Sequence, residues 1–172
     1  MIRLAHLRRI IAVLLLSLWW GGFSFYAGRV VFIGHEVLRS KIRQGFITER
    51  VTTELNWLAL VALAFVGWEF FSHRSTTRRT AWAIWSAALL MTLVLFPLHA
   101  KLAGMLDFAA HQITDDEHFY GWHRVYLLVA TAQWLFGAAL IVLQSGQAAT
   151  IKDSPAQAAS FPKQSGGTFD GG

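Results

Sequence analysis

The chain has 172 residues, 55% of them hydrophobic and only 15% charged, against roughly a quarter charged in an ordinary soluble domain. A soluble core of this size would interrupt its apolar stretches with charge every turn or two, so the composition makes lipid the solvent and leaves room for a single domain. The net charge of +5 lies on the flanks of apolar runs, which excludes a nucleic-acid-binding surface, and the absence of cysteine excludes disulfides, thiolate metal sites and c-type haem attachment.

A spanning helix needs about 20 apolar residues, because the rise is about 1.5 Å per residue and the hydrocarbon layer is about 30 Å thick. Four segments reach that length, predicting helices over about 10–34, 51–71, 80–100 and 124–144. With so few crossings, only helices can satisfy every backbone group inside lipid, and a β-barrel is excluded. The predicted fold is all-α: an integral membrane four-helix bundle over residues 1–144 with a disordered tail over 145–172.

The first segment, Ile10 to Gly28, is uncharged and extends through Arg29 to about Gly34. Arg3, Arg8 and Arg9 before it would suit a secretory leader, but the apolar run is longer than a leader's and no small-residue cleavage site follows. It reads as a retained anchor. Ser17, Gly21, Ser24 and Gly28 fall at steps of four, three and four, which aligns them on one face and predicts close packing there, with Val31 and His35 continuing the face. Arg29 is expected to reach Glu54 on the next helix or a lipid phosphate.

The second segment begins near Val51 and runs to Phe71, with Glu54 and Glu69 near its ends; Glu69 is expected to pair locally with His73 or Arg74. The third, Thr80 to Ala100, contains Pro97, whose missing N–H permits a kink that would turn His99 inward. The fourth, Val125 to about Gln144, carries His123, Ala130 and Gly137 at steps of seven, a second narrow face able to receive the first helix. Trp57, Trp68, Trp82 and Trp122 fall near the predicted ends, where indole prefers the interface. After Gln144 the chain turns to Ser, Gly, Gln and Ala with Pro155 and Pro162, a composition with little to bury.

Both termini and the connection at 72–79 share one side, which carries Arg3, Arg8, Arg9, Arg74, Arg78, Arg79, Lys152 and Lys163. The other side carries Arg39, Lys41, Arg43, Arg50, Lys101 and Arg124. This slight bias predicts a multi-pass protein of the cell membrane with cytoplasmic termini.

His35, His99, His111, His118 and His123 all fall on that second, loop side, with Glu36, Asp107, Asp115, Asp116 and Glu117. Imidazole with carboxylate suits copper or zinc, and imidazole pairs suit haem iron. No short ligand motif is present: His35-Glu36 lacks a second histidine at helical spacing, and His118 to His123 spans five. Helix ends in a bundle nevertheless meet at similar depth, which makes His35, His99 and His123 a candidate metal site, with Glu36, Asp107 and Glu117 available to orient the rings. The plain alternative places each ring in the headgroup layer, bonded to water. No nucleophile triad, phosphate loop or zincin motif is present, so no enzyme is expected.

The stretches Trp19-Trp20-Gly21-Gly22-Phe23 through Tyr26-Ala27-Gly28, Gln44-Gly45-Phe46-Ile47-Thr48, and Phe119-Tyr120-Gly121-Trp122-His123-Arg124-Val125-Tyr126 resemble the transmembrane protein 205-like family of uncharacterised membrane proteins. The resemblance covers roughly residues 10 to 144. It implies four helices and, through that family's distant similarity to copper-resistance D membrane domains, a hint of metal handling, with no catalytic residues to transfer.

Three function classes compete. The first is a structural or interaction component, partnered by the bilayer, a second copy or other membrane proteins, and requiring no cofactor. The second handles copper, zinc or a small solute through the histidine and carboxylate side. The third is a b-type haem electron carrier using two of His35, His99 and His123.

Overall fold

The computed structural model describes residues 2–72, 78–107, 110 and 112–152. The described chain is helical except at one short hairpin. Helix α1 (Ile2–Phe25) passes through a π-helical turn (Tyr26–Val30) into α2 (Val31–Leu38), and the three form one rod. Next come α3 (Lys41–Ser72), α4 (Arg78–Ala103), the paired strands β1 (Leu106–Asp107) and β2 (Gln112–Ile113), and α5 (Asp116–Lys152). Four of these helices, counting the α1–α2 rod as one, are long and apolar enough to cross a membrane. They close into a ring in which α1 packs on α3 and α5, and α4 packs on the same two.

The helices are longer than the apolar spans that predict them. The 35–50 connection is a two-residue turn, Arg39–Ser40, and α3 starts at Lys41 rather than near Val51. Two local devices set this. Arg39 takes the left-handed conformation (φ 47°) and its N–H bonds the His35 carbonyl, ending α2. The Ser40 hydroxyl accepts the Arg43 N–H at 3.3 Å and so caps α3. Likewise α5 starts at Asp116, because Asp115 accepts the His118 N–H through its carboxylate and the Phe119 N–H through its carbonyl. It continues past Gln144 to Lys152, while the remainder of the tail, 153–172, lies outside the described residues. With α3 this long, Trp57 stands halfway along it, against Phe96, rather than near an end.

The core has two parts. On the side of the termini, Ala12, Leu16, Trp19, Ala59, Ala62, Leu63, Val66, Ala88 and Leu140 form a continuous apolar cluster. On the loop side the cluster is smaller: Leu95, Leu102, Tyr126 and Ala130. The glycine on the fourth crossing explains how α1 and α5 meet, since a Cβ on Gly137 would collide with the Trp19 ring, which fills that space. The small-residue face of α1 behaves differently. Ser17, Gly21 and Gly28 are exposed and a Cβ on either glycine would meet nothing, so this face looks outward; only Ser24 turns in, accepting the Trp134 indole N–H at 2.7 Å. The interior is filled instead by Leu16, Trp19 and Tyr26, whose bulk makes the close packing that holds helices together in lipid.

Candidate functional site in the loop-side half of the bundle

Helix α3 carries Gln44, Thr48, Thr52 and Asn56 at successive steps of four, and a four-residue step keeps them on one face. Gln44, Thr52 and Asn56 are buried and Thr48 half-buried, so the face is a polar seam inside the ring of helices. Every other crossing sends one polar ring to it. The Tyr26 hydroxyl, from the π-helical turn, donates to the Thr48 hydroxyl at 3.0 Å. His99, from α4, places Nε2 3.2 Å from the Thr52 hydroxyl, 3.3 Å from the Thr53 hydroxyl and 3.0 Å from the Glu49 carbonyl. Tyr126, from α5, accepts the Asn56 side-chain N–H at 3.3 Å and stands edge-on to the His99 ring. Gly34 makes room for the outermost member, since a Cβ there would run into the Gln44 carboxamide.

The hydrogen-bond pattern fixes the tautomer of His99. The Thr52 and Thr53 hydroxyls donate to carbonyls one turn back on their own helix, Thr52 to Thr48 and Glu49 and Thr53 to Glu49. Toward Nε2 they offer lone pairs, as the Glu49 carbonyl does. Nε2 therefore carries a proton and donates toward these three oxygens. Two turns deeper, where Thr92 and Gln133 stand seven residues from His99 and Tyr126, the seam ends in one more bond: the Gln133 side chain donates to the Thr92 hydroxyl at 2.7 Å, both residues being fully buried. Beyond it lies the apolar cluster of the other half.

The three histidines singled out by the sequence are not brought together. His99 faces inward, as the position after Pro97 suggests, but His35 is exposed on α2 and His123 is half-buried with its ring stacked on Phe119 of its own helix. The face that His35 was expected to continue, traced by Ser17, Gly21 and Gly28, itself looks outward. Glu36 and Asp107 are exposed, Asp107 accepting the Ala110 N–H, and the Glu117 side chain lies outside the described residues, as does His111. Among the described residues no group of three or more His, Asp or Glu side chains is placed to hold a metal ion.

The charged residues near the helix ends also find other partners than expected. Glu69 is buried and pairs with Arg8 across the bundle at 2.7 Å, with Arg8 lying over the Trp68 ring. His73 and Arg74, its expected partners, lie outside the described residues. Arg9 donates to the Gln144 carbonyl at 2.6 Å, which ties the start of the first crossing to the end of the fourth. Arg29 and Glu54 are both exposed and form no ion pair with each other. Outside the spans, the Asp115 carboxyl is held below the ordinary aspartate range by the His118 backbone N–H first, and then by the His118 ring, 2.8 Å away.

Sequence reasoning passed over the α3 seam, although its signal, four polar residues at steps of four, is present in the chain. No family model, curated protein or solved structure matches the chain.

Proposed function

We propose that the protein is a structural or interaction component of the membrane, a stiff four-helix platform that works through its outer surface and catalyses no reaction. The observation that carries this reading is that polar side chains bolt every neighbouring pair of helices. Arg8–Glu69 and Tyr26–Thr48 join α1 to α3 through the first crossing, and Trp20, Ser24 and Arg9 join it to α5 through Trp134 and Gln144. Trp85 donates to the Leu63 carbonyl and His99 to the Glu49 carbonyl, joining α4 to α3; Gln133–Thr92 joins α4 to α5; Asn56–Tyr126 spans the diagonal. In lipid, where apolar burial drives no association between helices, such bonds and close packing are what hold a bundle in one arrangement.

The proposed setting is the cell membrane, with both ends of the bundle cytoplasmic and the partner a second copy or another membrane protein. The resemblance to the transmembrane protein 205-like family agrees with four crossings and supplies no activity. The test is site-specific photocrosslinking in native membranes from Leu18 and Leu128, both outward-facing, with buried Leu63 as control. A discrete protein adduct from at least one outward position, absent from Leu63, is expected. Adducts to lipid alone would overturn the interaction reading.

The metal and haem readings receive less support, because His35 is exposed, the His123 ring is stacked on Phe119, and His99 Nε2 is committed to oxygen acceptors.

A further inference from the structure

We propose that Arg29, Arg50, Lys101 and Arg124, one from each crossing, form a collar that binds the phosphates of anionic lipids in the loop-side leaflet. Direct contacts set their level. Tyr26 bonds Thr48, His99 bonds Thr52, and the His99 and Tyr126 rings meet edge-on with centroids 6.1 Å apart, so the four crossings are pinned to one another at this height. Arg29 lies three residues beyond Tyr26 toward the loop side, Arg50 between Thr48 and Thr52, Lys101 two residues beyond His99, and Arg124 two residues before Tyr126. Their backbones therefore share a band about 10 Å deep. All four side chains are exposed, and among the described residues none of them enters an ion pair.

The distance to the other end of the bundle supplies an independent measure. Twenty residues separate Arg29 from Arg9, and twenty separate Arg124 from Gln144, the two residues joined at that end; Arg50 lies nineteen residues from Glu69, which pairs there with Arg8. Each interval is about 30 Å, the thickness of the hydrocarbon layer. Within it the crossings carry one Asp, Glu, Lys or Arg, Glu54, a turn inward of Arg50. At the collar, cations can reach headgroups while their stems stay on apolar surface. Lys101 shows the arrangement, its ammonium 3.4 Å from the centre of the Trp122 ring, an indole at the level that indole prefers. Guanidinium and ammonium groups pair well with phosphate. Four of them against exposed Glu54 and half-buried Glu49 leave a positive charge that an anionic lipid compensates and a zwitterionic one does not. Because the four stand on four helices of a ring, the collar faces lipid all round, and a protein docked on one flank would cover only part of it.

The collar rests on the membrane setting proposed above, and the two fail differently. Reconstituted into phosphatidylcholine vesicles, the wild-type protein should float with the lipid and resist carbonate extraction; protein left in the dense fraction would refute the membrane setting and the collar with it. In the floated vesicles, electron paramagnetic resonance compares the protein-associated fractions of spin-labelled phosphatidylglycerol and spin-labelled phosphatidylcholine. Phosphatidylglycerol should be favoured at least about 2-fold, and Arg29→Gln, Arg50→Gln, Lys101→Gln and Arg124→Gln combined should bring the ratio to about 1. Arg39→Gln with Arg43→Gln, which removes two exposed arginines of the same side beyond the collar, should keep the preference. No preference in the wild-type protein, or equal losses in the two variants, would overturn the collar. A second measurement needs no substitution: in the wild-type protein in vesicles containing phosphatidylglycerol, carbon–phosphorus rotational-echo NMR should show lipid phosphate in contact with the Cζ atoms of Arg29, Arg50 and Arg124. Guanidinium carbons without phosphate contact would overturn the collar even if the combined variant misfolds.

Discussion

At the scale of single residues, the glycines divide by what surrounds them. A Cβ on Gly67 would come within 2.6 Å of the Trp85 ring, whose indole N–H is already anchored to the Leu63 carbonyl, so the ring cannot step aside without losing that bond. Gly67→Ala should therefore lower the thermal midpoint in detergent, by an amount corresponding to about 1–3 kcal/mol of overpacking. Gly21→Ala, which meets open space, should leave the midpoint unchanged or raise it slightly. Equal losses at the two positions would show that the outward assignment of the Gly21 face is wrong. Arg39 is the opposite case, a residue with a Cβ in the left-handed region at φ 47°. Arg39→Gly should raise stability by about 1 kcal/mol, the strain a side chain suffers there. A loss would mean that the guanidinium makes a contact outweighing that strain.

Elements are held to one another by polar contacts whose partners lie far apart in sequence, and this is where reading the chain reaches its limit. The four crossings were legible because lipid demands a length and an apolarity that can be counted. Gly137 was legible too, as the third member of a seven-residue repeat. The partner of Glu69 was not: Arg8 lies 61 residues away, and nothing local distinguishes it from Arg9. Breaking that pair should be costly, since Glu69→Ala strands a mostly buried guanidinium, at about 3 kcal/mol. The double variant Arg8→Met with Glu69→Leu should recover most of the loss, because it removes both charges and restores packed volume; a double variant no better than the single would argue against an ion-pair origin. At the other end of the bundle, the α5 cap gives a pH signature. The folded-state pKa of Asp115 is depressed, so its contribution is fully present above the unfolded aspartate's pKa and is lost as pH falls through the lower folded value. A carboxyl titration by NMR should place Asp115 below an unstructured aspartate, and Asp115→Asn, which keeps an N-cap acceptor, should remove that titration while retaining the helix start. A titration midpoint in the ordinary aspartate range would refute the cap's electrostatic role.

For the whole molecule, the polar seam of α3 is hidden by the choice of span. A second crossing counted from Val51 places Gln44 and Thr48 in a loop and splits the seam in two. The helix in fact continues ten residues past the apolar boundary, because Ser40 caps it there and because leaving lipid does not end a helix. Convergence of His35, His99 and His123 was not decidable from sequence, since it turned on which face of the first helix packs inward, and the small-residue face that leads to His35 looks outward. The same contacts that close the ring of helices also dictate its topology. Four antiparallel helices, each long and apolar enough to cross a membrane, return the chain to the end of the bundle where it began, and the Arg9 bond to the Gln144 carbonyl joins the first and last helices at that end. The Arg39–Ser40 turn and the β1–β2 hairpin then share the opposite end. Reporters fused after Lys152 and inserted between Ala110 and Gln112 should accordingly report opposite compartments. Since Lys and Arg favour the terminal side only slightly, moving positive charge into the hairpin should produce a mixed or inverted population. Both reporters in one compartment in the wild-type protein would mean that α5 does not cross, and would remove the ring of helices on which the seam depends.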